Sequence, residues 1–177
     1  MISFLMIDLV ANTLIYTGRT SGRTLPRPPE GAYALAVNDD VLRDNYTPEQ
    51  GPINYSALKT QMCDKIDAEC AEIRKRFITD ITGQDATYQF KLLEAKRWQS
   101  GDDPADYPYL GREAVKRGMA LADLVAEVLA TGALWIGTID PELESSRVAA
   151  KKTVLAADAT IPAILAAAAV DWEGLLP

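Results

Sequence analysis

The residues most able to do chemistry are carboxylates, which cluster in two short segments. Asp39 and Asp40 are adjacent, and the segment GDDPAD places Asp102 and Asp103 close to Asp106. Carboxylate oxygens of this kind suit calcium, but the alternating ligands and the closing glutamate of an EF-hand loop are missing. We interpret the GDDPAD segment as a helix cap and a solvated loop, and we predict no metal site and no bound cofactor.

Catalytic chemistry is restricted by the absence of histidine from all 177 residues. Histidine is the commonest general base and a common zinc ligand, so Ser–His, Cys–His and histidine-ligated zinc sites are excluded. The chain also lacks a glycine-rich phosphate-binding motif. Carboxylate pairs for glycoside hydrolysis cannot be recognised from spacing, which leaves an accessory enzyme acting on polysaccharide as an alternative. We predict that the protein is not an enzyme and has no catalytic residues.

The charged and apolar residues indicate whether the chain can bind nucleic acid or insert into a membrane. The chain carries 18 basic and 25 acidic residues, a formal net charge of −7. Nucleic-acid binding depends on clustered positive charge, so we predict no nucleic-acid partner. The longest apolar tract, Met119 to Ile139, is interrupted by Asp123 and Glu127, and charged residues oppose transfer into a bilayer. We therefore predict no membrane insertion.

The segment YQFKLLEAKRW combines aromatic and charged residues at helical spacing. Lys91 and Glu94 lie three residues apart, where a helix would let them pair, and Tyr88 and Trp98 flank them. Such a segment is typical either of core packing within the chain or of an interface, where tyrosine and tryptophan are enriched. We take these four residues as interface candidates and add Trp135 from a later apolar stripe.

The first forty residues are β-like. The segments MISFLMIDL and TLIYTGR flank a short Ala11–Asn12 turn and predict a hairpin, and AYALAVND predicts a third strand after a proline-rich connection. An uncovered strand edge can pair with another chain. We therefore add Ile7, Leu14 and Tyr16 to the interface candidates.

The remainder predicts helices. Residues 44–53 read as a linker, and TDITG (Thr79 to Gly83) breaks the helical pattern later in the chain. Asp140 is expected to cap a new helix with Pro141 at its first position. Two apolar stripes with helical spacing are expected to form the core: Leu58, Met62, Ile66, Cys70, Ile73 and Phe77 in the first, and Leu121, Leu124, Val125, Val128, Leu129 and Trp135 in the second.

These elements predict an α+β fold, with a small N-terminal antiparallel β element followed by a mainly α-helical bundle. The predicted organisation is a β-rich attachment element over residues 1–43, a linker over 44–53 and a helical domain over 54–177. Cys63 and Cys70 lie seven residues apart on one predicted helix, about 10.5 Å along its axis. A disulfide needs α-carbons within about 7 Å, so we predict two reduced thiols.

Several segments of the helical region occur in an order that is similar to that of a known protein family. The run RKRFITDITGQDATYQFKLLEAKRW, then YPYLGREAVKRG, then LADLVAEVLATGALW and an R-x-x-A-K segment resemble small tail proteins of bacteriophages and prophages. The matching residues are Arg76, Ile78, Thr79, Gly83, Gln84, Tyr88, Lys91, Glu94, Ala95, Tyr107, Pro108, Leu110, Gly118, Trp135, Arg147, Ala150 and Lys151.

The resemblance implies a non-enzymatic structural role in the phage tail, in the baseplate or in a tail fibre or fibre attachment. The expected partners are other tail proteins and further copies of the chain, because tail tips have three-fold or six-fold symmetry. The expected location is the virion tail, preceded by the host cytoplasm during assembly. The alternative is a tail-fibre assembly chaperone that is absent from the mature virion.

Overall fold

The computed structural model describes residues 1–46, 52–77 and 84–177, without the side chains of Gln84 and Asp85. Its three-stranded antiparallel sheet is followed by a helical majority, which confirms the predicted α+β class. The described chain forms two compact units: Met1–Glu69 with Ser146–Asp171, and Cys70–Ser145 with Trp172–Pro177. These units divide the chain within two helices and not at the predicted linker. Part of that linker, residues 47–51, and the predicted break at Thr79–Gly83 lie outside the described residues.

The sheet lies in the first unit and has the order β2-β1-β3. Its strands are β1 (Ile2–Asp8), β2 (Thr13–Thr20) and β3 (Ala32–Val37). The central strand β1 is buried on both faces. Its polar Ser3 is only 6% exposed. It pairs with both neighbours in antiparallel register, so the third strand joins β1 and not β2.

The predicted hairpin turn between β1 and β2 is confirmed. Asp8 Oδ1 accepts the N–H groups of Val10 and Ala11, each at 2.9 Å. Asn12 has φ +56°, a left-handed conformation that asparagine tolerates. Its amide also holds the turn against helices of the same unit: Asn12 Oδ1 accepts the N–H of Ile161 at 3.0 Å, and Nδ2 donates to the hydroxyl of Tyr55.

Seven α-helices follow along the described chain. They are α1 (Asp39–Asp44), α2 (Tyr55–Arg74), α3 (Gln84–Arg97), α4 (Leu110–Arg117), α5 (Leu121–Leu134), α6 (Asp140–Leu155) and α7 (Ile161–Ala167). Helix α1 begins where Asn38 Oδ1 accepts the N–H of Val41 at 2.9 Å, so Asp39 and Asp40 belong to its first turn, where negative charge is favourable.

The first apolar stripe is buried through most of α2. Leu58 and Ile66 are fully buried in the first unit, and Cys70 is fully buried in the second. Both cysteines are reduced, buried thiols, and burial raises the pKa of the Cys63 thiol. Phe77, the last member of the stripe, is 40% exposed, because the regular helix has already ended at Arg74.

The second unit has its own apolar core, where α3, α4 and α5 meet. Leu110 and Leu124 are fully buried there, and Ala95 is 2% exposed. The second predicted stripe is therefore confirmed in part. Val125 is 3% exposed, whereas Leu129 is 37% exposed and lies outside this core.

The prediction that Asp140 caps a new helix is wrong. Helix α5 continues through a π-helical turn, Trp135–Ile139, directly into α6, and Asp140 has helical dihedral angles. The Asp140 N–H donates to the carbonyl of Trp135, five residues earlier. This wide turn lets Pro141 follow without breaking the helix, since a proline has no N–H to donate.

One helical run among the described residues, Leu121–Leu155, is long and apolar enough to cross a bilayer by length and composition alone. Only 17% of its most apolar stretch is buried. The same run carries paired charges in α6, where Arg74 contacts Asp140 and Glu144 at 3.0 and 2.9 Å. The absence of membrane insertion stays a prediction.

Candidate functional site

The N-terminus of α4 in the second unit is capped by a residue of another helix. Tyr109, the residue that precedes the helix, makes no side-chain cap. Instead the Glu94 carboxylate on α3, 7% exposed, accepts the N–H of Tyr109 at 3.1 and 3.2 Å and that of Leu110 at 2.9 Å. A negative charge at this end also interacts favourably with the helix dipole. One side chain therefore fixes where α4 begins relative to α3.

Lys91 does not pair with Glu94, contrary to the sequence-based expectation. Its Nζ lies 2.5 Å from Glu113 on α4, because Glu94 is already engaged by the backbone of α4. Glu113 also lies 3.3 Å from Arg117, whose guanidinium binds Glu127 on α5 at 2.8 Å. This network joins α3, α4 and α5. The hydrogen bond with Arg117 lowers the pKa of Glu127.

A shallow groove runs beside α4, and we call it the α4 groove. Its first part has a volume of about 490 Å³ and its second part about 470 Å³. The two parts share Pro108, Arg112 and Lys116. The first part is also lined by Lys91, Tyr109 and Glu113, and the second by Pro104, Ala105, Tyr107, Gly111 and Val115.

The α4 groove carries an excess of positive charge although the whole chain is acidic. Three cations and one carboxylate, that of Glu113, line its first part. Glu113 forms an ion pair with Lys91. Arg112 and Lys116 are exposed and lie one turn apart on α4, and neither forms an ion pair with any residue in the described part of the chain. Their two charges are therefore uncompensated and face solvent.

Aromatic rings border the same groove. Phe90 on α3 stacks on Tyr109 with 5.5 Å between ring centroids and 11° between ring planes. Both rings remain accessible, with Phe90 49% and Tyr109 40% exposed. Lys91 Nζ lies 5.9 Å from the centroid of the Tyr88 ring, within the range of a cation–π contact. The groove thus places apolar ring surface next to unpaired cations.

The wall of the groove is held rigidly at Gly111. A Cβ added at this position would lie 2.2 Å from the carbonyl oxygen of Pro104, so only glycine lets α4 approach the 3-10 turn Pro104–Asp106 so closely. Asp103 Oδ1 caps that turn by accepting the N–H of Ala105 at 2.9 Å. The close approach and the cap together keep the groove in one shape.

The GDDPAD segment acts as a cap, which confirms the interpretation of Asp102 and Asp103. Asp102 accepts the N–H of Gln99 at 2.9 Å and the hydroxyl of Tyr107. The Tyr107 hydrogen bond, with that from Gln99, lowers the pKa of Asp102, and the same contact raises the pKa of Tyr107. Neither carboxylate lines the α4 groove.

None of the other predicted interface residues lines the α4 groove. Ile7 and Leu14 face each other across β1 and β2 and are fully buried in the first unit, so their side chains are inaccessible in this fold. Tyr16 is 41% exposed and packs edge-on against Phe4, with ring centroids 5.9 Å apart. Trp98 packs on the core of the second unit.

Trp135 lies in the π-helical turn of the second unit and contacts Phe77, with ring centroids 5.9 Å apart. The residues that sequence reasoning did not select are those of the groove itself: Tyr109, Arg112, Glu113 and Lys116. The available signal was the GREAVKR segment, in which Arg112 and Lys116 have the i, i+4 spacing of one helix face.

Comparisons of the chain with protein-family models, with curated proteins and with solved structures found no match. The resemblance to small phage tail proteins therefore stays a prediction.

Proposed function

We propose that this protein is a non-enzymatic structural component of a phage tail, in the baseplate or in a tail fibre or its attachment. It acts through contacts with other tail proteins and with further copies of itself, in the virion tail, after assembly in the host cytoplasm. The observation that carries the proposal is the display of large apolar side chains on helices that are otherwise well packed.

Exposed apolar side chains lie on α3 and on the run through α5 in the second unit. Leu93 is 60% exposed, Leu134 48% and Ile136 44%. Isolated exposed apolar residues are common, whereas a contiguous apolar patch usually marks a site of interaction, and we infer that these residues belong to such a patch. Stable subunit interfaces are built around such residues.

The sheet of the first unit supplies a second type of contact surface. Strands β2 and β3 form its edges, and each displays a tyrosine, Tyr16 at 41% and Tyr33 at 42% exposure. Gln61 of α2 covers the end of β3, because its Oε1 accepts the N–H of Asn38 at 2.7 Å. We therefore assign β2 as the edge that adds a strand from a neighbouring protein.

Quantitative mass spectrometry of purified particles tests the proposal. The chain should be present at a fixed ratio to the known tail subunits in particles from the strain that encodes it. Its presence in assembling lysate but not in finished particles would instead support the tail-fibre chaperone. Its absence from both would refute a role in the tail.

A pair of variants links particle incorporation to the exposed apolar surface. Leu93→Glu places a charge at an exposed position, so it should leave folding intact but reduce incorporation into particles. Ala149→Glu, at an exposed position of α6, is the matched control and should be incorporated normally. Equal incorporation of both variants would exclude the α3 surface from the interface.

A further inference from the structure

We infer that the α4 groove is a docking site for an acidic segment of a partner protein. The inference rests on the proposed function only in assuming that the chain acts through protein contacts. It concerns the second unit alone and specifies the chemistry of the segment: carboxylate side chains alternating with apolar ones.

The charges of the groove select for carboxylates. Arg112 and Lys116 are exposed on one face of α4 and have no ion-pair partner within residues 1–46, 52–77 and 84–177. Glu113 does not neutralise them, because it lies 2.5 Å from Lys91 and 3.3 Å from Arg117. Arginine binds a carboxylate with two parallel hydrogen bonds, and lysine adds a second charge one turn away.

The apolar lining of the groove selects for a peptide over a small free anion. The Tyr109 ring, stacked on Phe90, borders the first part, and Pro104 lies in the second. Val115, which lies between Arg112 and Lys116 in the sequence, is 79% exposed. A segment with leucine or phenylalanine between its acids would cover these side chains while its carboxylates contact Arg112 and Lys116.

The groove is suited to bind without rearrangement. Gly111 packs against the Pro104 carbonyl so closely that an added Cβ would lie at 2.2 Å, and Glu94 fixes the start of α4. A preformed site loses less conformational entropy on binding than a flexible one does. The ionic contacts therefore contribute more of their free energy to the affinity for the segment.

Binding can be measured by NMR with a blocked octapeptide of alternating glutamate and leucine as the probe. The peptide should shift the amide signals of residues 109–117 in the full chain, and its affinity should fall as the salt concentration is raised. The same peptide with glutamine in place of glutamate, and inorganic phosphate, are the comparison ligands. Each should bind at least five-fold more weakly.

Charge reversal identifies the cations that matter. Arg112→Glu with Lys116→Glu should weaken binding of the glutamate peptide at least ten-fold, and the pair Arg112→Gln with Lys116→Gln should weaken it by a smaller factor. Lys152→Glu, an exposed cation of α6, is the matched control and should change affinity less than two-fold. The amide spectrum of each variant verifies that the fold is retained.

Three results would overturn the inference. The first is no shift at residues 109–117 with the glutamate peptide, and the second is equal binding of the glutamine peptide or of phosphate. The third is a change of oligomeric state in the charge-reversed variant without any peptide binding, which would assign the groove to a second copy of the chain. Particle incorporation is measured separately, so a failed groove assignment is distinguishable from a failed tail assignment.

Discussion

The carboxylate of Glu94 on α3 accepts the backbone N–H of Leu110, the first residue of α4, at 2.9 Å. Glu94, which the sequence offered as a partner of Lys91 and as an interface candidate, is a buried helix cap supplied from sixteen positions earlier in the chain. This contact couples the two helices that border the α4 groove. It also accounts for the pairing of Lys91 with Glu113.

Removing the cap should destabilise the protein. Glu94→Ala leaves the N–H groups of Tyr109 and Leu110 without acceptors, which should lower the free energy of unfolding by about 2–3 kcal/mol. Glu94→Gln keeps one oxygen acceptor and should lose less. Urea denaturation measures both, with Glu72→Ala as a control: Glu72 is 71% exposed, and its pair with Lys75 should contribute at most about 1 kcal/mol. Equal losses for Glu94→Ala and Glu72→Ala would contradict the capping role.

Three glycines of the second unit should respond differently to alanine. Gly111→Ala directs a Cβ to 2.2 Å from the Pro104 carbonyl oxygen, and because backbone must move, the loss should be about 2–3 kcal/mol. Gly132→Ala meets the flexible end of Leu92 at 2.7 Å and should cost about 1 kcal/mol. Gly137→Ala meets nothing within 4 Å and should stabilise by about 0.5–1 kcal/mol. Thermal unfolding gives the order of the three, and a different order would contradict the packing at Gly111.

Asp67 should make stability depend on acid pH. Partial burial raises its pKa, but hydrogen bonds from Lys151 and Arg147 outweigh this effect and hold the pKa below its ordinary value of 3.8. The unfolded chain therefore binds this proton more readily than the folded chain does. The stabilisation is present above the unfolded pKa and is lost as pH falls through the folded pKa.

Asp67→Asn should remove about 0.5–1 kcal/mol at pH 7 and flatten the loss of stability below pH 4, as measured by urea denaturation across pH 2–7. Asp64→Asn, at an exposed position of the same helix, should change stability at pH 7 by less than about 0.5 kcal/mol. An unchanged acid profile in Asp67→Asn would show that the ion pairs contribute nothing.

A charge in the apolar stripe of α2 should unfold the first unit. Ile66 is fully buried, so Ile66→Asp buries an unpaired carboxylate and should abolish the cooperative unfolding transition in circular dichroism. Ala68→Asp places the same side chain on the exposed face of the same helix and should retain that transition. Native-like unfolding of Ile66→Asp would contradict the burial of the stripe.

The long apolar run through α5 and α6 should stay in water. Insertion would break the contact of Arg74 with Glu144 and that of Asp67 with Arg147, at 2.9 and 2.6 Å, and each charge costs about 2.5–3.5 kcal/mol at the bilayer centre. In flotation with phosphatidylcholine and phosphatidylglycerol vesicles the protein should remain in the dense fraction. Co-flotation, with α6 protected from protease, would show that the run inserts.

Local patterns in the sequence were sufficient for most of the secondary structure. The hairpin at Asn12, the third strand and the buried stripe from Leu58 to Ile73 follow from residue types at fixed spacing, because strand and helix periods place every second residue, or every third to fourth, on one face. The prediction that a new helix begins at Pro141 with Asp140 as its cap was wrong. A proline normally ends a helix, and the π-helical turn that accommodates it has no sequence signal of its own.

The sequence by itself determined the α+β class, the absence of histidine chemistry and the positions of most helices. Only the tertiary structure decided which partner each charged residue takes: Glu94 turned inward to cap α4, Lys91 paired with Glu113, and Arg112 and Lys116 were left without an ion pair among the described residues. The physical reason is that periodicity is a property of neighbouring residues, whereas the partner of a side chain depends on which helix is packed beside it. Gly111 allows the close approach of α4 to the Pro104–Asp106 turn that shapes the α4 groove.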